Sequence, residues 1–274
     1  MMRKKGFELR KSGIPDRSIR QNKVDETHEI YLVHICNVGA LREIIRTRKI
    51  ITNGCRVFKR ELNYFFLLKA AYKPKSSEEK SDLLDFFPAA IVLNASKLPE
   101  PHHVYPFDSG GAHSGAFNEA YNPYLALDDF ELEPNFSSAL GHVDWAFSSR
   151  KNYYHGVLIP GLHENIPVWM AAPATFLKIA KLAQAGHNRP DSRASAVEVA
   201  FSEHVPLVPH VHHLIFPKQF LEDKHAINGD VDGFLSTSEC SYCSYDWQPN
   251  RMPSDFHREI QAELERFLDC VGAL

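Results

Sequence analysis

The chain has 274 residues, 44% of them apolar and 24% charged, an ordinary balance for a globular protein with a sizeable core. A formal charge of -3 and a pI near 6.6 exclude a globally basic nucleic-acid binder, although an enzyme acting on nucleic acid needs only a local patch. No apolar run is long enough to predict a membrane span, the basic start has no apolar segment behind it as a secretory signal would, and five scattered cysteines predict free thiols in a reducing cytoplasm.

Residues 1–28 are polar and charged, and read as a flexible or loosely docked arm ahead of a single domain over 29–274. Residues 29–36 are mostly apolar and β-branched, which predicts a short buried strand carrying His34. Asn37 then suits a helix N-cap, and Val38, Leu41, Ile44 and Ile45 share one face of a helix of about three turns. Asn53-Gly54 predicts a turn. Residues 64–72 are apolar enough for a strand, 74–81 form a charged loop, and 88–94 read as a second core strand.

Residues 102–124 hold many His, Tyr, Pro, Gly and Ser, predicting a long irregular loop of the kind that more often serves as a lid than as filler. A helical pattern follows over 169–185 and ends at Gly186. Residues 194–201 alternate, with Ala196, Glu198 and Ala200 on one face and Val197, Val199 and Phe201 on the other. After a short strand over 213–216, residues 254–271 predict an amphipathic helix with Ser254 as cap and Phe256, Ile260, Leu264, Phe267 and Leu268 as its stripe. No internal repeat is present. The whole reads as α+β, with strands too short and scattered for a doubly wound sheet.

Chemistry-bearing residues are few. Cys240 and Cys243 form the one close cysteine pair. A structural zinc site needs a second pair or the histidines His210, His212 and His213, and an exposed loop with two thiols is the simpler reading. A histidine on an apolar strand, such as His34, is commonly a core residue satisfied by a carbonyl. Glu198 amid Ala, Val and Phe costs desolvation unless something pairs with it, and Arg193 is the nearest candidate in sequence. Asp108 suits the organiser of the Ser109-Gly-Gly turn.

Four segments together resemble ADP-ribosyltransferases of the DarT type and related bacterial phage-defence proteins. His34-Ile-Cys-Asn-Val-Gly-Ala-Leu-Arg-Glu-Ile-Ile is similar to the strand-then-helix opening of that family, and residues 63–73 to its aromatic segment. Residues 105–111 resemble a loop found in some relatives, and 192–199 the strand that presents the catalytic glutamate. The resemblance implies a split central β-sheet with flanking helices and an NAD-dependent mono-ADP-ribosyltransferase. Glu198 would be catalytic, while His34, Asn37, Tyr64, Lys69 and Tyr72 would hold NAD as co-substrate. It further implies a macromolecular acceptor, DNA or RNA favoured over protein, a toxin or antiviral setting, and leaves open an antitoxin or sensor partner.

Lys69 stands where the relatives carry Arg, and Lys offers a point charge in place of a two-pronged clamp. That departure keeps a second reading open, a binding module with weakened catalysis. A metal-dependent nuclease using the histidines and Asp108 ranks behind it. Basic residues for an acceptor are sought at Arg56, Lys59 and Arg60 together with Arg150 and Lys151.

Overall fold

A computed structural model describes residues 29–71, 80–184, 186–187, 190–222 and 229–274. The expected arm over 1–28 and Tyr72 lie outside the described residues. The fold is α+β. Strand β1 (Tyr31–Asn37) runs into helix α1 (Val38–Thr47), followed by β2 (Lys49–Ile50), β3 (Asn53–Cys55), β4 (Arg60–Leu67), β5 (Pro88–Asn94) and β6 (His103–Tyr105). Helices α2 (Ser109–His113), α3 (Phe136–Phe147), α4 (Arg150–Tyr154) and α5 (Ala171–Lys181) come next. The chain closes with β7 (Glu198–Phe201), β8 (Val205–Pro206), β9 (Val211–Pro217), α6 (Gln219–Glu222), α7 (Gly229–Thr237), β10 (Ser241–Tyr245) and α8 (His257–Cys270).

The central sheet has the order β10-β9-β5-β1-β4-β7-β6, with β3 paired to β4. Every described pairing in it is antiparallel except β10 with β9. All seven residues of β5 are buried, as expected of a central strand covered on both faces, which is why its sequence is a continuous apolar run. Helix α1 is capped by Asn37 Oδ1, which accepts from Ala40 N at 2.8 Å. Its buried face is Val38, Leu41, Ile44 and Ile45, the four residues that its periodicity picks out. Across the sheet, α8 buries Ile260, Leu264 and Leu268, and burial of each such side chain contributes roughly 1.5–3 kcal/mol. Phe267 stacks on His213 with ring centroids 4.4 Å apart.

Several expectations need correction. Asn53-Gly54 is not a turn but strand β3, paired with Leu62 and Glu61 of β4, because a partner strand supplies the backbone bonds that a local turn would. The stretch 102–124 is less irregular than its composition predicts, containing β6 and α2. Residues 192–195 form a 3-10 turn, so β7 starts only at Glu198. Helix α8 is preceded by a 3-10 turn over Pro253–Phe256, where Asp255 Oδ2 accepts from Met252 N at 3.2 Å, so Ser254 is not its cap.

Candidate functional site

The site originates in a split of the sheet. Strand β1 pairs with β5 along its full length, yet pairs with β4 only at Leu32↔Leu67 and Val33↔Phe66. Beyond Val33 the two strands part. His34 bridges the gap, its Nδ1 lying 2.9 Å from the Tyr64 carbonyl oxygen. A carbonyl only accepts, so Nδ1 carries the proton and Nε2 is left as an acceptor. Burial lowers the His34 pKa from its ordinary value, opposed by that carbonyl bond, and the ring is neutral at physiological pH.

A cavity of about 460 Å³ occupies the split. Its walls are the end of β1 (His34–Asn37), the start of α1 at Ala40, residues of β3 and β4 including Cys55, Asn63, Tyr64 and Phe66, then Asp108, Ser109 and Glu198. The β1-to-α1 junction at Asn37 therefore aims a helix N-terminus, with no acidic residue in its first turn, along one wall. The described lining contains no Lys or Arg.

Glu198, 2% exposed, sits at the start of β7 opposite Phe66 of β4 and Tyr105 of β6. Ser109 meets both of its oxygens: Oγ donates to Oε1 at 2.5 Å and the backbone N donates to Oε2 at 3.2 Å. Burial pushes the carboxyl well above its ordinary value and the nearby Asp108 adds to this, while the two Ser109 donors pull the other way. His103 Nε2 lies 3.7 Å from Oε1. Burial, with the charges of His102 and Arg60, lowers the His103 pKa to about 3, so the pair is not an ion pair at neutral pH.

Arg193 does not neutralise Glu198. It binds Asp191 at 2.6 Å and Asp108 at 3.3 Å. Asp108 Oδ1 accepts from Gly111 N at 3.0 Å, capping the short α2 turn that carries Ser109. The approach there is tight: a Cβ on Gly111 would meet the Phe117 ring at 3.0 Å.

Of the residues expected at the site, His34, Asn37, Tyr64 and Glu198 line this one cavity although three separate strands supply them. Lys69 is not among the lining residues. It is buried, donates to Ser195 O at 3.2 Å and Ser195 Oγ at 3.0 Å, and lies 4.3 Å above the Tyr153 ring. Burial depresses its pKa to about 7. Tyr153 reinforces the same junction, donating to Leu67 O at 2.9 Å and accepting from Val197 N at 2.8 Å. Lys69 thus braces the chain just before Glu198.

Ser109, Asn63 and Cys55 are site residues that the pattern reading missed. Ser109 lies far from Glu198 in sequence, and only the approach of the 105–111 segment to β7 brings them together. Asn63 donates to the Ile50 and Glu203 carbonyls, and its buried Oδ1 has no partner among the described residues. Cys55 Sγ accepts from the Tyr64 hydroxyl at 2.8 Å.

The sought basic residues divide between elements. Arg60 contacts His102 at the start of β4, whereas Arg150 bonds the Glu29 carbonyl at 2.9 Å and Lys151 pairs with Asp269 at 3.4 Å. Cys243 is not in a loop but in β10, with Sγ 3.3 Å from His213 Nε2, and Cys240 is buried. Among the described residues no group of three or more His, Cys, Asp or Glu is placed to hold a metal ion, and no helix is long and apolar enough to cross a membrane.

No family model matches the chain, and no curated protein matches it. A search of solved structures returns the DarT of Thermus sp. 2.9 in complex with carba-NAD+, at 9% identity and a TM-score of 0.38, covering 78% of this chain and 95% of that one.

Proposed function

We propose that the cavity binds NAD and that the chain transfers its ADP-ribosyl group to a macromolecular acceptor, nucleic acid favoured over protein. The observation that carries this reading is the convergence of His34, Tyr64 and Glu198 on one cavity across the split between β1 and β4. The polar groups there suit such a ligand. His34 Nε2 can accept from a ribose hydroxyl, and the orphaned Asn63 Oδ1 needs a donor such as a hydroxyl or carboxamide. Tyr64 and Phe66 offer faces for a nicotinamide ring. With no cation in the described lining, the N-terminus of α1 supplies the partial positive charge for a pyrophosphate.

In the transfer, the bond between the ribose C1′ and the nicotinamide nitrogen breaks, its electron pair leaves with nicotinamide, and the acceptor's nucleophilic atom bonds to C1′. Glu198 has two tasks. A cationic nicotinamide ribosyl group beside it favours the ionised carboxylate, which offsets positive charge developing at C1′. Once nicotinamide has departed, the raised proton affinity of the buried carboxylate equips it to take the proton that the acceptor loses.

A binding module with weakened catalysis is the second reading. The burial of Lys69 away from the cavity and the absence of Lys or Arg from the described lining favour it. Labelled NAD incubated with mixed DNA, RNA and protein, with and without EDTA, separates the readings. Transfer that survives the chelator and disappears in Glu198→Gln supports the transferase. NAD binding without turnover supports the module, and activity abolished by EDTA supports a metal-dependent nuclease. A cytoplasmic toxin or antiviral role remains part of the proposal.

A further inference from the structure

A chain of polar contacts leads from the surface to the back of Glu198. Arg60, exposed at the start of β4, meets His102 Nε2 through its Nη1. His102 Nδ1 lies 3.0 Å from His103 Nδ1. The His103 ring is buried against Phe58, with ring centroids 4.3 Å apart, and against Tyr105 at 5.3 Å, and its Nε2 has no hydrogen-bond partner among the described residues. That nitrogen lies 3.7 Å from Glu198 Oε1.

Arginine only donates, which fixes the direction of every link. A guanidinium donating to His102 Nε2 leaves the proton of that neutral ring on Nδ1. His102 Nδ1–H must then donate to His103 Nδ1, and His103 carries its own proton on Nε2, facing Glu198. We infer that Arg60 is a positioning residue which, through the tautomers of His102 and His103, turns an N–H toward the Glu198 carboxyl from 3.7 Å, beyond hydrogen-bond length but close enough to act on its charge, beside the two hydrogen bonds from Ser109. The inference deepens the catalytic assignment of Glu198 and rests on that reading for its functional meaning, though the chain itself does not need NAD. The other titratable groups facing this corner are Asp108, Cys55, Tyr64 and Tyr105.

This N–H matters because burial and Asp108 favour the protonated acid, whereas each N–H dipole that points at the carboxyl favours the carboxylate. Without Arg60, His102 is free to hold its proton on Nε2. His103 would then donate from Nδ1 to His102 and turn a bare Nε2 toward Glu198, an acceptor that favours the protonated acid. The ionisation limb of Glu198 therefore moves to higher pH in the variant.

Ring nitrogen shifts of the histidine-labelled full chain read the tautomers directly by long-range proton–nitrogen correlation, with His102→Gln used for assignment. Expected in the wild type is His102 protonated at Nδ1 and His103 at Nε2. In Arg60→Met, a surface substitution, His103 should move its proton to Nδ1, and the acid limb of the transfer rate should shift upward in pH. A bare His103 Nε2 in the wild type, or a His103 tautomer unchanged in Arg60→Met, overturns the inference. If the tautomers behave as expected but Glu198→Gln still transfers ADP-ribose, the proposed function fails and the contact chain stands.

Discussion

Glu198 and Lys69 are both buried ionisable groups, and their partners differ in a way that separates chemistry from bracing. Glu198 borders a cavity and is hydrogen-bonded by Ser109, with the His103 ring 3.7 Å away, whereas Lys69 is spent on Ser195 and the Tyr153 face. For Lys69 the direction of the pH effect follows from its pKa, near 7 when folded against an ordinary 10.5. Below pH 7 both states hold the proton and the full cost of burying charge is felt. Between pH 7 and 10.5 the unfolded chain binds the proton and the folded one does not, so stability rises with pH. Relative to Lys69→Met, the wild type should gain about 2 kcal/mol between pH 7 and pH 9; chemical denaturation at both values reads this, and a constant difference would contradict it. His34 is testable at the same scale. Removing its Nε2 acceptor in His34→Ala should weaken NAD binding about tenfold, the worth of one hydrogen bond of about 1–1.5 kcal/mol, and an unchanged thermal-shift titration would remove its ribose role.

Local patterns served best for elements whose periodicity and caps agree with their surroundings. Strand β5 occupies the residues that its apolar run predicts, and α1 has both the Asn37 cap and the buried face that its sequence shows. Elements defined by partners were less legible. Strand β3 exists because β4 pairs with it, and the short α2 turn holds because Asp108 caps it and Phe117 packs against Gly111. Ser109 could not be linked to Glu198 by any spacing, since the contact is made by two distant segments crossing. The cap of α1 offers a test of how an element serves the cavity. Asn37→Ala should cost about 1 kcal/mol of stability and also weaken NAD binding, because the first turn of α1 at the cavity wall loses the side chain that holds its donors in place. Loss of stability with unaltered NAD affinity, measured by calorimetry, would restrict Asn37 to a structural role.

At the scale of the whole molecule, one sheet both builds the core and opens the cavity. The β9-β5-β1 centre is sealed on one side by α8 and carries the continuous apolar strands, while β4-β7-β6 leaves it after two residue pairs and takes Glu198 with it. Hydrophobic periodicity made the first half readable. The second half depends on where two strands cease to pair, which no local pattern encodes. A crystal structure of the chain with an unreactive NAD analogue tests the shared cavity most directly. The expected result places the nicotinamide ribose between His34 and Glu198, with the ring against Tyr64 or Phe66. Analogue density elsewhere on the molecule, with this cavity unchanged and empty at saturating ligand, would contradict it.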